Sequence, residues 1–295
     1  PAGAGESLCV PHEMDLTALA PPGRHTLTLR VDNRMLVNVA AWAHSVTDET
    51  QTNWNGVIGR IELRATDPVW LEAAHAYPEH ETGALRARVR VGNATGRPVE
   101  AWLALAATPE RGGAPRIEAE AGGTVPAGGG WLEARFRDAR ALPRWDEFEP
   151  RRCRLQVELT ADAAGRECRD ALATSFGIRD LRVGPDQRIR LNGRAILLRG
   201  TLECCIFPRT GFPPTDRSPW ERICAIARAY GLNHLRFHSW CPPEAAFEAA
   251  DRAGMLLQVE LPQWVADVGK DPPRDAFIAR ELERILDAFG NHPSF

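Results

Sequence analysis

The chain has 295 residues, a formal charge of −3 and a pI near 6.3, with 44% hydrophobic and 25% charged residues. That length exceeds one ordinary compact domain and predicts two or three, with enough apolar surface for real cores. The near-neutral balance argues against nucleic acid or an anionic membrane as the main partner, and no apolar run approaches the ~20 residues that a membrane helix needs.

In chain order, the first two thirds predict β structure. "HTLTLRVDN" (25–33) alternates, "MLVNVAAWA" and "GVIGRIELRA" follow, and Asn55-Gly56 suits a tight turn between strands. The hydrophobic pattern stops near "ATDPVW" and restarts in "LEAAHAYPE", "ALRARVRVGNATGRPVEAWLALAAT", "GGWLEARFRDA" and "RRCRLQVELTA". Leu85, Ala87, Val89 and Val91 alternate with Arg86, Arg88 and Arg90, which predicts one buried and one wet face. Short strands at regular spacing predict β-sandwiches, with boundaries near Asp67 and "TSFGIRDLRVGPD".

From about Ile178 the pattern changes. "AILLRGT" (195–201), "HLRFHS" and "MLLQVEL" predict three short strands. Between them, Ser218-Pro219-Trp220-Glu221 reads as a capping box opening a helix with Trp220, Ile223, Cys224, Ala227 and Tyr230 on one stripe. Pro243 to Ala253 predicts a second helix stopped by Gly254, and Asp275 to Phe289 a third, with Phe277, Ile278, Leu282, Ile285, Leu286 and Phe289 inward. This β-α-β-α-β-α spacing implies parallel crossovers, in either a doubly wound sheet or an eightfold barrel. No GxGxxG follows the first strand, which disfavours a dinucleotide site and favours the barrel.

Barrels place their sites at the C-terminal ends of strands. Those ends carry Glu203, Cys204 and Cys205, then Arg236, His238 and Trp240, then Glu260 and Trp264. Period-two geometry predicts that Arg236, His238 and Trp240 share a face. A cation and an imidazole donate to hydroxyls, carboxylates accept from them, and indoles offer flat walls, so the set suits a sugar. Each residue also has a plainer explanation. Arg236 fits a structural cation paired with Glu203 or Glu260, His238 a hydrogen-bonded core histidine, and Trp240 a cap between sheet and helix. Glu203 and Glu260 could alternatively be a glycosidase pair, which in retaining enzymes stand ~5–5.5 Å apart. The seven cysteines are irregularly spaced with no CxxC, which disfavours a disulfide framework, a zinc ribbon or any metal site. Asn93-Ala94-Thr95 matches a glycosylation sequon.

With these motifs in this order, the chain resembles glycoside hydrolase family 2, which includes β-galactosidases, β-glucuronidases and β-mannosidases. "PHEMDLTALAPPGRHTLTLRVDNR" with "TQTNWNGVIGRIELRA" resembles the closing strands of the family's jelly-roll domain. "LPRWDEFEPRRCRLQVEL" resembles the end of its immunoglobulin-like sandwich, and "FGIRDLRV" with "RIRLNGRAILLRG" the start of its barrel. "GLNHLRFHSWCPPEAAFEAADRAGMLLQVELP" and "FGNHPSF" resemble barrel strands two and three and the approach to strand four.

The resemblance implies β-sandwiches (1–67 the jelly-roll end, 68–177 immunoglobulin-like) followed by the first three βα units of a (β/α)8 TIM barrel (178–295). It implies a retaining, exo-acting glycoside hydrolase of terminal O-glycosidic bonds, with an oligosaccharide or polysaccharide as partner and no cofactor. The family's acid/base and nucleophile glutamates fall beyond Phe295, so the piece is expected to be inactive and no residue here is assigned either role. Glu203, Arg236, His238, Trp240, Glu260 and Trp264 are expected to line the substrate site. Two departures touch it. The family pattern Arg-x-Ser-His-Tyr-Pro stands here as Arg236-Phe237-His238-Ser239-Trp240-Cys241, and Asn-Arg-His-Glu as Leu202-Glu203-Cys204-Cys205. The sugar preference is therefore not carried over. The alternatives are a non-catalytic carbohydrate-binding or scaffold protein, or a different barrel hydrolase using Glu203 and Glu260. Both ends of the chain read as cut, which leaves compartment and oligomeric state open.

Overall fold

The computed structural model describes residues 2–295; Pro1 lies outside them. From 69 to 176 the chain builds two facing antiparallel sheets. β1 (Val69–Glu79), β2 (Ala84–Asn93) and β5 (Gly130–Phe136) form one. β3 (Val99–Pro109), β4 (Ile117–Val125), β6 (Cys153–Asp162) and β7 (Glu167–Phe176) form the other, in the order β4-β3-β6-β7. The alternation that predicted them decides which side is dry. In β6 every second residue from Cys153 to Ala161 is buried, while Arg154, Gln156, Glu158 and Thr160 face out. Leu71, Leu85, Val89 and Phe136 meet Leu103, Leu155, Leu159 and Phe176 in one core between the sheets, which makes this unit a β-sandwich.

The N-terminal region departs from expectation. Residues 2–66 hold no strand and only an isolated bridge between Ser45 and Asn53. The alternation in 25–33 and 57–64 is real, but these segments have no ladder partner among the described residues. Leu27, Leu29, Val31, Ile61 and Leu63 are exposed accordingly. A strand needs both a hydrogen-bonding neighbour and a surface to bury against.

After a small antiparallel sheet of β8 (Leu181–Val183), β9 (Ile189–Leu191) and β10 (Arg194–Ala195), the fold changes class. β11 (Gly200–Glu203), α1 (Arg217–Ala229), β12 (His234–Phe237), α2 (Glu244–Ala253), β13 (Leu256–Val259) and α3 (Pro272–Phe289) follow. β11, β12 and β13 lie side by side in chain order and pair in parallel. The apolar run 195–201 is therefore not one strand: it splits between β10 and β11, with 196–199 outside both.

Helix boundaries also moved. α1 starts at Arg217 behind Asp216, so Ser218 lies inside the helix and makes no cap. α3 starts three residues earlier than predicted, because the Asp271 side chain accepts from the Arg274 amide and a proline opens the helix. α2 ends at Gly254 in the left-handed region (φ 68°), as its glycine stop predicted. Two stripes were misread at their edges. Tyr230 is 82% exposed, and Leu282 and Leu286 are 43% and 45% exposed, whereas Glu281 on α3 is buried. Its Oε1 accepts from the Ser7 hydroxyl (2.7 Å) and the Leu8 amide (2.9 Å), which fastens the N-terminal segment to α3.

All three helices cover the same face of the parallel sheet. Trp220 and Cys224 of α1, Ala246, Phe247 and Ala250 of α2, and Ile285 and Phe289 of α3 share one core with Leu235, Phe237 and Leu257 of the strands. Beyond α3 the chain comes back beside β13, with the Leu257 amide donating to the Ser294 carbonyl at 2.7 Å.

Buried polar contacts fasten sandwich to helices. The indole of Trp145 is fully buried and donates to the Asp251 carbonyl of α2 at 2.8 Å. The Asp251 carboxylate takes His292 Nδ1 at 2.6 Å and the Ser294 amide at 3.0 Å. Asn291 donates to and accepts from the Ala76 backbone of β1.

Candidate functional site

At β12 the backbone alternates as expected. Leu235 and Phe237 turn to the helices, and Arg236 turns to the opposite face. The strand ends at Phe237, but its amide ladder runs one step further, with His238 N–H donating to the Glu203 carbonyl at 2.9 Å. His238 therefore stays on the Arg236 side. Glu260, one residue past β13, lies between them. One of its oxygens takes the Arg236 guanidinium, and the other stands 2.9 Å from His238 Nδ1. Trp264 stands edge-on to the His238 ring, with centroids 4.6 Å apart and planes at 81°, and is 45% exposed. Arg236, His238, Glu260 and Trp264 thus form one group at the carboxyl end of the parallel sheet. The plainer explanation of Arg236, a cation paired with Glu260, holds as well, and the Arg236 side chain is still 43% exposed.

Trp240 does not join them. Its side chain is 1% exposed and lies in the helix-side core against Trp220, Phe237 and Phe207. Period two applies only while the chain is a strand, and the strand has ended. Its indole instead donates to the Glu203 carbonyl at 3.2 Å, so it supports the site from below.

Glu203 closes β11. Its carboxylate accepts the Cys205 amide at 3.1 Å and the Ile206 amide at 3.4 Å. Burial pushes its pKa up, against the opposing pull of those amides and the Trp240 indole. Cys204 sits beside Glu203, Glu260 and Arg236, and its thiol is pushed up by burial and then by the two carboxylates. Burial raises the Cys205 thiol too, with Glu203 adding to the effect. Neither is an activated nucleophile. Among the described residues, no group of three or more His, Cys, Asp or Glu side chains is placed to hold a metal ion.

One residue of the site had no sequence signal. His44, which directly follows the segment 35–43 read as a strand, is 7% exposed, with its ring 5.4 Å from that of His238. Its neighbour Trp42 is 59% exposed. Nothing local in "AAWAHSV" distinguishes His44 from any other histidine, and only the folded chain brings it to the rim.

Comparison with known proteins matches no family model. In sequence, the chain is 26% identical over 150 residues to a β-galactosidase of Thermoanaerobacter pseudethanolicus, covering 50% of this chain and 19% of that protein. It is 24% identical over 279 residues to an exo-β-D-glucosaminidase of Streptomyces avermitilis, covering 86% and 28%. In structure, it is similar to Bacteroides uniformis β-glucuronidase 2 covalently bound to cyclophellitol-6-carboxylate aziridine (TM-score 0.62, 18% identity, 90% of this chain and 32% of that one). It is also similar to a GH2 β-galacturonidase from Eisenbergiella tayi bound to galacturonate (TM-score 0.60, 14% identity, 78% and 40%). The chain resembles glycoside hydrolase family 2 in sequence and in fold. It spans less than a third of the length of the curated glycoside hydrolases it matches.

Proposed function

We propose that the intact protein is a retaining, exo-acting glycoside hydrolase that cleaves a terminal O-glycosidic bond, and that this chain supplies one wall of its sugar pocket. The observation that carries the reading is the Arg236–Glu260–His238–Trp264 group at the carboxyl end of a parallel β-α-β-α-β sheet. Such ends are where barrel enzymes bind substrate. All three helices lie on one face of the sheet, which favours the start of a (β/α)8 barrel over a doubly wound sheet, whose helices cover both faces. Residues 178–295 are assigned to that barrel, 68–177 to an immunoglobulin-like sandwich and 1–67 to the end of a jelly roll.

Each residue has a role in that pocket. Glu260 fixes the Arg236 guanidinium and the His238 ring, so that their remaining N–H donors meet sugar hydroxyls in a preset geometry. Trp264 offers a flat apolar wall, and Glu203 is an acceptor at the floor. Glu260 is committed to two donors, and the Glu203 carboxylate is held by two backbone amides. They therefore act as orienting groups. Bond cleavage by double displacement is assigned to a separate carboxyl pair of the intact protein.

The test is a panel of aryl β-glycosides offered to the intact protein and to its Arg236→Ala variant. Turnover of one member, with kcat/KM lowered about tenfold or more in the variant, is expected from the loss of a charged hydrogen-bond donor. Turnover that ignores Arg236 would show that the pocket lies elsewhere.

A further inference from the structure

The segment 39–52 is hydrogen-bonded to the loop after each strand of the parallel sheet. Phe207, after β11, donates its amide to Thr52 Oγ1 at 3.3 Å. Ser239, after β12, donates its amide to His44 Nδ1 at 3.3 Å and its hydroxyl to the Trp42 carbonyl at 3.4 Å. Trp264, after β13, donates its amide to the Val39 carbonyl at 2.8 Å. Val39 and Ala43 are buried against Phe277 of α3, which anchors the same segment from below. The three rim loops are thus linked through one strap, and the strap's buried imidazole lies next to His238.

We propose that His44 is a positioning residue of the sugar pocket: by accepting the Ser239 amide and lying against His238, it fixes the His238 ring toward Glu260. This rests on the reading of that pocket as the substrate site. Ser239 adjoins His238 in the chain, so a bond to its amide restrains the backbone that carries the His238 ring. The bond dictates a tautomer. Nδ1 accepts, so it carries no proton, and in a neutral ring Nε2 carries it. A protonated His44 would point an N–H at the Ser239 N–H and lose the bond. Burial and then the charge of His238 push the His44 pKa down, against the pull of hydrogen bonds to Gln51 and the Trp42 backbone and the charge of Glu260, a shift in the direction this bond requires.

The experiment uses the intact protein with histidine rings labelled with nitrogen-15, in three forms: wild type, His44→Asn and His44→Phe. Asparagine places an oxygen where Nδ1 was, and phenylalanine keeps the ring but removes the acceptor. At neutral pH the wild-type spectrum is expected to show His44 with an unprotonated Nδ1. His44→Phe is expected to move the His238 ring resonances and raise KM for the aryl glycoside about five- to tenfold, and His44→Asn to recover most of both. A His44 carrying its proton on Nδ1 overturns the proposal, as do unmoved His238 resonances in a folded His44→Phe. Ring spectra need no turnover. Moved resonances in a protein inactive on every glycoside would therefore sink the hydrolase reading and leave the positioning role standing.

Discussion

His238 and Glu260 meet through Nδ1 and Oε2 at 2.9 Å, while the other oxygen of the same carboxylate holds Arg236. One acceptor at the end of β13 thereby fixes two donors from the end of the adjacent β12, and the aim of both depends on it. Glu260→Gln keeps the shape but not the charge, and it can offer an oxygen to only one donor. We expect kcat/KM on the active aryl glycoside to fall about 10- to 100-fold, the loss of one or two charged hydrogen bonds, with little change in thermal midpoint because the group is part-exposed. An unaltered kcat/KM would remove Glu260 from the pocket.

The two tryptophans of the region separate cleanly. Trp240 is buried against Phe207, Trp220 and Phe237, and Trp264 is 45% exposed. Trp240→Ala should cost about 3–5 kcal/mol of folding stability, the usual loss for a large buried aromatic. Trp264→Ala should leave the urea midpoint nearly unchanged and raise KM. Measuring both quantities on both variants checks the assignment, and the reverse pattern would refute it.

The His292–Asp251 contact should make stability depend on pH. Burial alone would lower the His292 pKa, but the hydrogen bond and charge of Asp251 overcome it and leave it raised above the ordinary value. The protonated ring is then favoured in the folded state. Its contribution is fully present below the ordinary histidine pKa of about 6.5 and is lost as pH rises through the folded value. Thermal midpoints from pH 5 to 9 should fall more steeply for wild type than for His292→Gln. Parallel curves would show that the pair contributes nothing.

Asn93 lies in a sequon but is 2% exposed and engaged on every polar atom. Its amide donates to the carbonyls of Arg97, Val125 and Pro126, and its oxygen accepts from the amide and hydroxyl of Thr95. No room remains for a glycan. Expressed through a glycosylating secretory route, the folded protein should carry none at Asn93 by mass spectrometry. Asn93→Ala, which strands those carbonyls, should lower stability by about 1–3 kcal/mol.

The sequence revealed those parts of the fold whose local pattern and tertiary setting agree. β2 and β6 could be placed because each alternates against a sheet that is present. The strands expected in 25–64 alternate equally well but meet no partner among the described residues, so pattern alone did not form them. β4 and β7 went unnamed in the sequence. In β4 the inward positions are Ile117, Ala119 and Ala121, only half buried and followed by two glycines, a weak signal. At the site, Arg236, His238, Glu260 and Trp264 were legible because strand ends are readable and parallel neighbours follow chain order. Trp240 was misplaced because period two was carried past the end of β12. His44 was invisible because its contact joins residues 195 positions apart.

The proposed retaining glycosidase makes a stereochemical prediction. The most direct measurement is time-resolved proton NMR of aryl β-glycoside hydrolysis by the intact protein, reading the anomer released first. The β anomer is expected to appear first and then mutarotate, as a double displacement requires. First appearance of the α anomer, or no hydrolysis of any glycoside in the panel, would contradict it.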